Sequence, residues 1–164
     1  MSRIDPLVKE FLAQKKIAVV GVSDRRDTGC NTAYARFKQA GYRVFAVNPR
    51  LPRYAGDPCY PDLKALPEKP DAVFILANPG VSEQIVRQCV ELGVGHVWMH
   101  CMLGVRPGSM SGSTSVSAEA VKLCRENGIQ VIPGSCPNQF LDPDGGHKLM
   151  RGLWGLLGFL NLPD

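Results

Sequence analysis

The sequence predicts a three-layer, doubly wound α/β domain of the Rossmann type with a mainly parallel sheet. Two observations predict this fold: short unbroken apolar runs recur along the chain, and segments with helical periodicity separate them. An unbroken apolar run is typical of a strand that is buried on both faces, as in a parallel sheet. Right-handed crossovers between such strands place helices on both sides of the sheet.

The elements can be assigned in order along the chain. Asp5 and Pro6 predict the start of an opening helix over 4–14, with Asp5 at the capping position. The stretch 50–70 is rich in Pro and charge. The remaining predicted elements are strands at 17–20, 43–47, 72–77, 94–99 and 129–132, helices at 32–39, 82–92 and 117–126, a short strand at 59–60 and a helical turn at 62–66.

Length and composition indicate a single globular domain over residues 1–164. Hydrophobic residues make up 45% of the chain and charged residues 21%, which is ordinary for a folded protein. The net charge of +4 comes from scattered basic residues, so no nucleic-acid partner is predicted. No apolar run is long enough to span a membrane and the N-terminus has no signal-peptide core, which makes the cytoplasm the expected location.

The cysteines and the C-terminal tail suggest packing rather than chemistry. No two of the six cysteines are spaced as a metal-ligand or redox pair, and several lie in apolar runs. The tail 148–164 is too apolar to be left in water. We expect it to pack on the domain or on a second subunit, as a homo-oligomer or with a partner. An interfacial membrane helix is a further alternative.

The turn after the first strand is the first candidate ligand site. It reads Gly21-Val22-Ser23-Asp24-Arg25-Arg26. A glycine there lets the backbone approach a diphosphate, and the following helix offers free amide groups and a partial positive charge. The Ser23 hydroxyl, together with Arg25 or Arg26, can add donors to phosphate oxygens. We therefore expect Gly21, Val22 and these side chains at a phosphate group.

The turn after the second strand narrows the range of nucleotide ligands that the site could bind. NAD-binding domains usually have an acidic residue there, which holds the ribose 2′-hydroxyl. This chain has Asn48, Pro49 and Arg50 instead, and Ser23 replaces the second glycine of the dinucleotide fingerprint G-x-G-x-x-G. A cation at this place suits a ribose that carries a phosphate, as in NADP or coenzyme A, although a solvated surface arginine is also compatible.

Several segments of the chain resemble the small CoA-binding proteins. They are K-I-A-V-V-G-V-S, G-Y-R-V-F-A-V-N-P, G-D-P-C-Y-P-D-L, D-A-V-F-I-L-A-N-P, V-W-M-H and G-S-C-P-N, and they cover about 15–137. These proteins are stand-alone relatives of the CoA-binding domain in succinyl-CoA synthetase α subunits and acyl-CoA synthetases. The resemblance implies Gly21, Ser23 and Arg25 at the pyrophosphate and Asn48, Pro49 and Arg50 near the ribose phosphate and adenine. It also implies that Ala77, Asn78 and Pro79 form a loop that crosses the cofactor.

The segment 100–115 departs from the resemblance because it is longer than expected after the fourth main strand. It begins with His100, which ends that strand on the ligand side of the sheet and is a candidate ligand contact. Cys101 follows it, but neighbours on a strand point to opposite faces, so a direct Cys–His nucleophile is not predicted. No carboxylate pair, metal-ligand cluster or acyl-transfer triad stands out.

The leading hypothesis is therefore a non-catalytic domain that binds CoA or an acyl-CoA as a carrier, a sensor or a partner subunit. An NADP-dependent oxidoreductase, or another nucleotide-binding enzyme on the same sheet, is the first alternative. The second is a protein-interaction module in which the nucleotide site is vestigial and the apolar tail binds a partner.

Overall fold

The computed structural model describes residues 3–105 and 114–162. Its strands are β1 (Lys16–Val20), β2 (Arg43–Val47), β3 (Arg53–Tyr54), β4 (Asp57–Tyr60), β5 (Ala72–Ile75), β6 (His96–Met99) and β7 (Gln130–Pro133). Its helices are α1 (Asp5–Leu12), α2 (Gly29–Gln39), α3 (Pro79–Leu92), α4 (Ala118–Glu126) and α5 (Gly145–Leu156). A short 3-10 helix, Pro137–Gln139, lies between β7 and α5.

The strands form one seven-stranded sheet in the order β3-β4-β2-β1-β5-β6-β7. All pairings are parallel except the hairpin pairing of β3 with β4. The chain builds outward from β1 through β2 to β4 and then returns to β5 on the other side of β1. The order therefore reverses beside β1, and this is the place where doubly wound sheets bind ligands. The predicted fold class is confirmed.

Two apolar layers sandwich the sheet. One layer packs α1 and α2 against the sheet around Trp98, whose side chain is fully buried, and the other packs α3 and α4 against the opposite face. The Trp98 ring makes an edge contact with Phe11, and its Nε1 donates to the Gly134 carbonyl at 2.8 Å. The six cysteines are all buried, which agrees with their expected packing role.

Helix starts differ from the predicted positions because capping residues lie further upstream. Helix α2 begins at Gly29, not at residue 32, because the Thr28 side chain accepts a hydrogen bond from the Asn31 amide. Helix α3 begins at Pro79, not at residue 82, because Asn78 caps it in the same way. Asp5 does not cap α1; Ile4 occupies the capping position, and the Asp5 carboxylate pairs with Arg3.

The region 50–70 holds more structure than expected. Strands β3 and β4 form an antiparallel hairpin across a turn in which Ala55 and Gly56 have positive φ. Strand β4 includes the expected strand at 59–60, but 62–66 forms a turn in place of the expected helical turn. Strand β5 ends at Ile75, two residues before the predicted end, so Leu76 and Ala77 belong to the loop at the ligand edge.

The C-terminal tail packs on the domain along one side. Leu160 is buried, and Trp154 packs against the core and donates from Nε1 to the Met102 carbonyl at 3.0 Å. Leu149 and Leu156 on α5 remain exposed. Within 3–105 and 114–162, no helix has the length and apolar character needed to cross a membrane.

Candidate ligand-binding site

The turn after β1 is held by backbone bonds to both neighbouring strands. Gly21 donates to the Val47 carbonyl at 3.0 Å, and Leu76 donates to the Val20 carbonyl at 2.9 Å. Gly21 has a φ of 111°, and a Cβ placed on it would lie 2.0 Å from the Leu76 carbonyl oxygen. Only glycine fits here, which is the feature expected of a turn that approaches a phosphate group.

Asn31 on α2 fixes the rest of this turn, and it was not among the predicted site residues. Its Oδ1 accepts from the Ser23 amide at 2.9 Å, while its Nδ2 donates to the carbonyls of Ser23 at 2.8 Å and Arg26 at 3.1 Å. The Arg25 amide in turn donates to Ser23 Oγ at 3.2 Å. These amides are therefore used inside the turn, so the Ser23 hydroxyl and the first turn of α2 are the better donors for an anion.

Asn48 joins the second turn to the first. Its Nδ2 donates to the Val22 carbonyl at 2.7 Å, and its Oδ1 accepts from the Arg50 amide at 2.8 Å. The pattern Asn-Pro-Arg thus folds as an Asx turn whose carboxamide braces the turn after β1, residues 21–26. Arg50 is exposed and makes no ion pair with any described residue, so its guanidinium is available to an anionic ligand.

A cavity of about 510 Å³ opens where these turns meet, and this volume lies within the usual range for a ligand site. Of the predicted site residues, the described part of the chain places Gly21, Asn48, Pro49, Arg50, Ala77 and Asn78 on its wall. Asp62 and the α3 residues Val81, Gln84, Ile85 and Gln88 also lie on the wall and were not predicted. The α3 residues were missed because a helix face carries no loop signal in the sequence.

The other predicted residues lie elsewhere. Val22 is fully buried, and its carbonyl accepts the hydrogen bond from Asn48 Nδ2. Ser23, Arg25 and Pro79 lie close in sequence to residues that line the cavity. They are not themselves among its described wall residues. Arg26 and His100 line a second cavity of about 430 Å³ on the other side of the turn at 21–26.

The segment 100–115 contributes from both of its described ends, 100–105 and 114–115; residues 106–113 lie outside the described part. Ser115 Oγ accepts from the Ala77 amide at 2.9 Å, and the Ser115 carbonyl accepts from Ser82 Oγ at 2.6 Å. The end of this long segment therefore supports the loop between β5 and α3. The other end begins with His100, whose ring packs edge-on against Phe74.

Burial lowers the pKa of His100 from 6.5 to about 4. Between these values the unfolded chain takes up a proton that the folded chain does not, so folding should weaken as the pH falls through this window. We expect the free energy of unfolding to drop by roughly 2–3 kcal/mol between about pH 6.5 and pH 4. The carboxyl groups of Asp57 and Asp144 have lowered pKa values. The stability that their ionised forms contribute to the fold would be lost only below this pH window.

Urea denaturation of the wild type and of His100→Gln across this pH range checks the prediction. The variant should show a much flatter pH dependence, because its side chain does not titrate. An equally steep loss of stability in His100→Gln would contradict the assignment to this histidine.

Residues 15–139 match the family model of the CoA-binding domain, which is three quarters of the chain. The chain belongs to the CoA-binding domain family. The match has nearly the same limits as the resemblance found in the sequence. It covers β1 to the 3-10 helix and leaves α5 outside the matched region.

Known proteins similar to this CoA-binding domain differ in size. An ADP-forming acetate–CoA ligase of Archaeoglobus fulgidus is 26% identical over 74% of this chain, which spans only 18% of the ligase. The uncharacterized protein YneT of Bacillus subtilis is 29% identical over 79% of this chain and 87% of its own length. A solved structure from Pyrococcus horikoshii OT3 is 26% identical, with a TM-score of 0.71 over 84% of this chain and 91% of that one.

Proposed function

We propose that this domain binds coenzyme A, or an acyl-CoA, in the cavity beyond β1, β2 and β5. Membership of the CoA-binding domain family is the observation that carries the proposal. The bound molecule would place its diphosphate against the turn at Gly21 and its adenosine between the loops that begin at Asn48 and Ala77. The described wall fits such a group, because a glycine-only turn and an unpaired guanidinium face the same cavity.

We further propose that the domain acts by binding, as a carrier, a sensor or a partner subunit, and not as a catalyst. The buried thiol that lines the second cavity supports this view. Cys136 is buried, and burial raises the pKa of its thiol to about 11, whereas a reactive cysteine needs its thiolate. We also propose that the protein is located in the cytoplasm and that its C-terminal tail binds a partner.

Thermal unfolding with CoA, dephospho-CoA, NADP and NAD at equal concentrations tests the ligand. A ligand that binds only the folded state raises the melting temperature through mass action. We expect the largest shift with CoA and a smaller one with dephospho-CoA, which lacks the 3′-phosphate. A larger shift with NADP would indicate a reductase-type cofactor site, and no shift with any ligand would contradict the proposal.

Arg50→Ala should weaken CoA binding by about 1–2 kcal/mol, since a charge-assisted bond to a partly exposed phosphate is modest. Dephospho-CoA binding should change little, because the phosphate that Arg50 contacts is missing. Arg125→Ala makes the same change of charge at an exposed arginine in the last turn of α4 and serves as the control. Equal losses for CoA and dephospho-CoA in Arg50→Ala would remove this residue from the phosphate site.

A further inference from the structure

The second cavity lies between helix α5 and the turn at 21–26, which we call the phosphate turn. Its walls include Thr28 and Gly29 at the start of α2, Leu76 after β5, His100 after β6, Asn138 in the 3-10 helix and Met150 on α5. Leu76 lines this cavity while the next residue, Ala77, lines the first one. The two cavities therefore flank the same loop, and an elongated ligand that crosses the phosphate turn can reach both.

A buried polar group on this wall lacks a partner. Asn138 is 1% exposed, and its Nδ2 donates to the Gly29 carbonyl at 3.2 Å, which fixes the orientation of the carboxamide. Its Oδ1 has no hydrogen-bond donor among the described residues. An unpaired buried acceptor is costly and rare in native proteins, and a ligand N–H group that reached it after a small movement of the wall would remove this cost. The pantetheine arm of CoA carries two such amide groups.

Most residues that line this cavity are uncharged. Leu76, Met102 and Met150 are apolar, and burial holds His100 uncharged and Cys136 as the thiol near neutral pH. His147, which also lines the cavity, has its Nδ1 2.7 Å from the carboxylate of Asp144. The charged side chains on the described wall, Arg26 and Asp27, are both exposed. An alkyl chain would be well accommodated against the apolar residues, whereas a carboxylate among them would have to be desolvated.

We propose that the second cavity holds the thiol end of the pantetheine arm together with a short, uncharged acyl group, and that α5 sets the length of that group. The inference rests on the proposed CoA-binding function and adds the substrate class. Helix α5 lies outside the region matched by the family model. Met150 on α5 is an apolar residue of this wall, and its side chain resembles the proposed acyl chain in this respect.

Isothermal titration of the wild-type chain with four ligands tests the class of the acyl group. They are adenosine 3′,5′-bisphosphate, CoA, butyryl-CoA and succinyl-CoA. Butyryl-CoA should bind at least as tightly as CoA and at least about fivefold more tightly than succinyl-CoA, because the second carboxylate must be desolvated. Preference for succinyl-CoA would overturn the uncharged class.

Met150→Trp tests the position of the acyl group by filling the cavity. It should weaken butyryl-CoA binding by about tenfold or more and leave adenosine 3′,5′-bisphosphate, which lacks the arm, unchanged. Leu149→Trp adds the same side chain on the exposed side of the same helix, where Leu149 is 75% exposed, and should change neither ligand. Unchanged butyryl-CoA binding in Met150→Trp, or equal losses in both variants, would overturn the proposal.

Met150→Ala keeps the test decisive if the tryptophan variant also loses the bisphosphate. The smaller side chain enlarges the cavity, so the ratio of hexanoyl-CoA to butyryl-CoA affinity should rise severalfold. An unchanged ratio would overturn the assignment of this wall. Failure of the wild type to bind either CoA or the bisphosphate would instead contradict the proposed function itself.

Discussion

Gly21→Ala is expected to lower the free energy of unfolding by about 3–5 kcal/mol and to abolish CoA binding. Its φ of 111° is a conformation that L side chains rarely adopt. The added Cβ would also lie 2.0 Å from the Leu76 carbonyl oxygen, which belongs to the backbone directly after β5 and cannot rotate away. The phosphate turn and the loop between the two cavities must therefore separate.

Gly41→Ala is the matched control for this variant. Gly41 also has a positive φ, 88°, but a Cβ there would meet no atom within 4 Å. It should cost only the left-handed strain, about 1–2 kcal/mol, and leave CoA binding intact. Chemical denaturation and CoA titration of both variants measure the difference. Equal destabilisation by the two substitutions would show that the contact between the added Cβ and the Leu76 carbonyl oxygen does not change the free energy of unfolding.

Asn48→Asp is expected to reduce CoA affinity by about 2–4 kcal/mol. The Asn48 Nδ2 donates to the Val22 carbonyl at 2.7 Å, and a carboxylate oxygen in its place would face that carbonyl without a proton. The new negative charge would also lie at the cavity that we propose for the phosphates. The two effects act together, since one loosens the phosphate turn and the other repels the ligand.

Asn127→Asp provides the corresponding control. Asn127 ends α4 and likewise donates from Nδ2 to a backbone carbonyl, that of Leu123, but it is exposed. This variant carries the same charge change and should bind CoA like the wild type. If Asn48→Asp also bound CoA normally, two ideas would be contradicted. One is that the bond from Asn48 to Val22 supports CoA binding, and the other is that a phosphate group lies near Asn48.

The sheet was predictable because its central strands are buried on both faces. Strands β1, β5 and β6 are almost entirely buried, and such strands read as apolar runs in the sequence. The hairpin of β3 and β4 was not predictable in full. Strand β3 has two residues, and the strand that pairs with it contains Pro58, so no alternating pattern marks them.

The site was predictable where loops carry it and not where helices do. Gly21, Asn48 and Arg50 stand out because turn residues follow apolar runs. Asn31 and Asn138 act through contacts distant in the chain, for example from Asn138 to the Gly29 carbonyl, and local sequence does not reveal these contacts. The contact by which Asn31 occupies the Ser23 amide is likewise not revealed by local sequence.

A crystal structure of the chain with CoA tests the central claim most directly. Our account predicts density for the diphosphate at the turn that begins at Gly21, with the 3′-phosphate within reach of the Arg50 guanidinium. It predicts the adenosine in the cavity lined by Asn48 and Ala77. Density for the nucleotide at any other edge of the sheet, or none at saturating CoA, would contradict it.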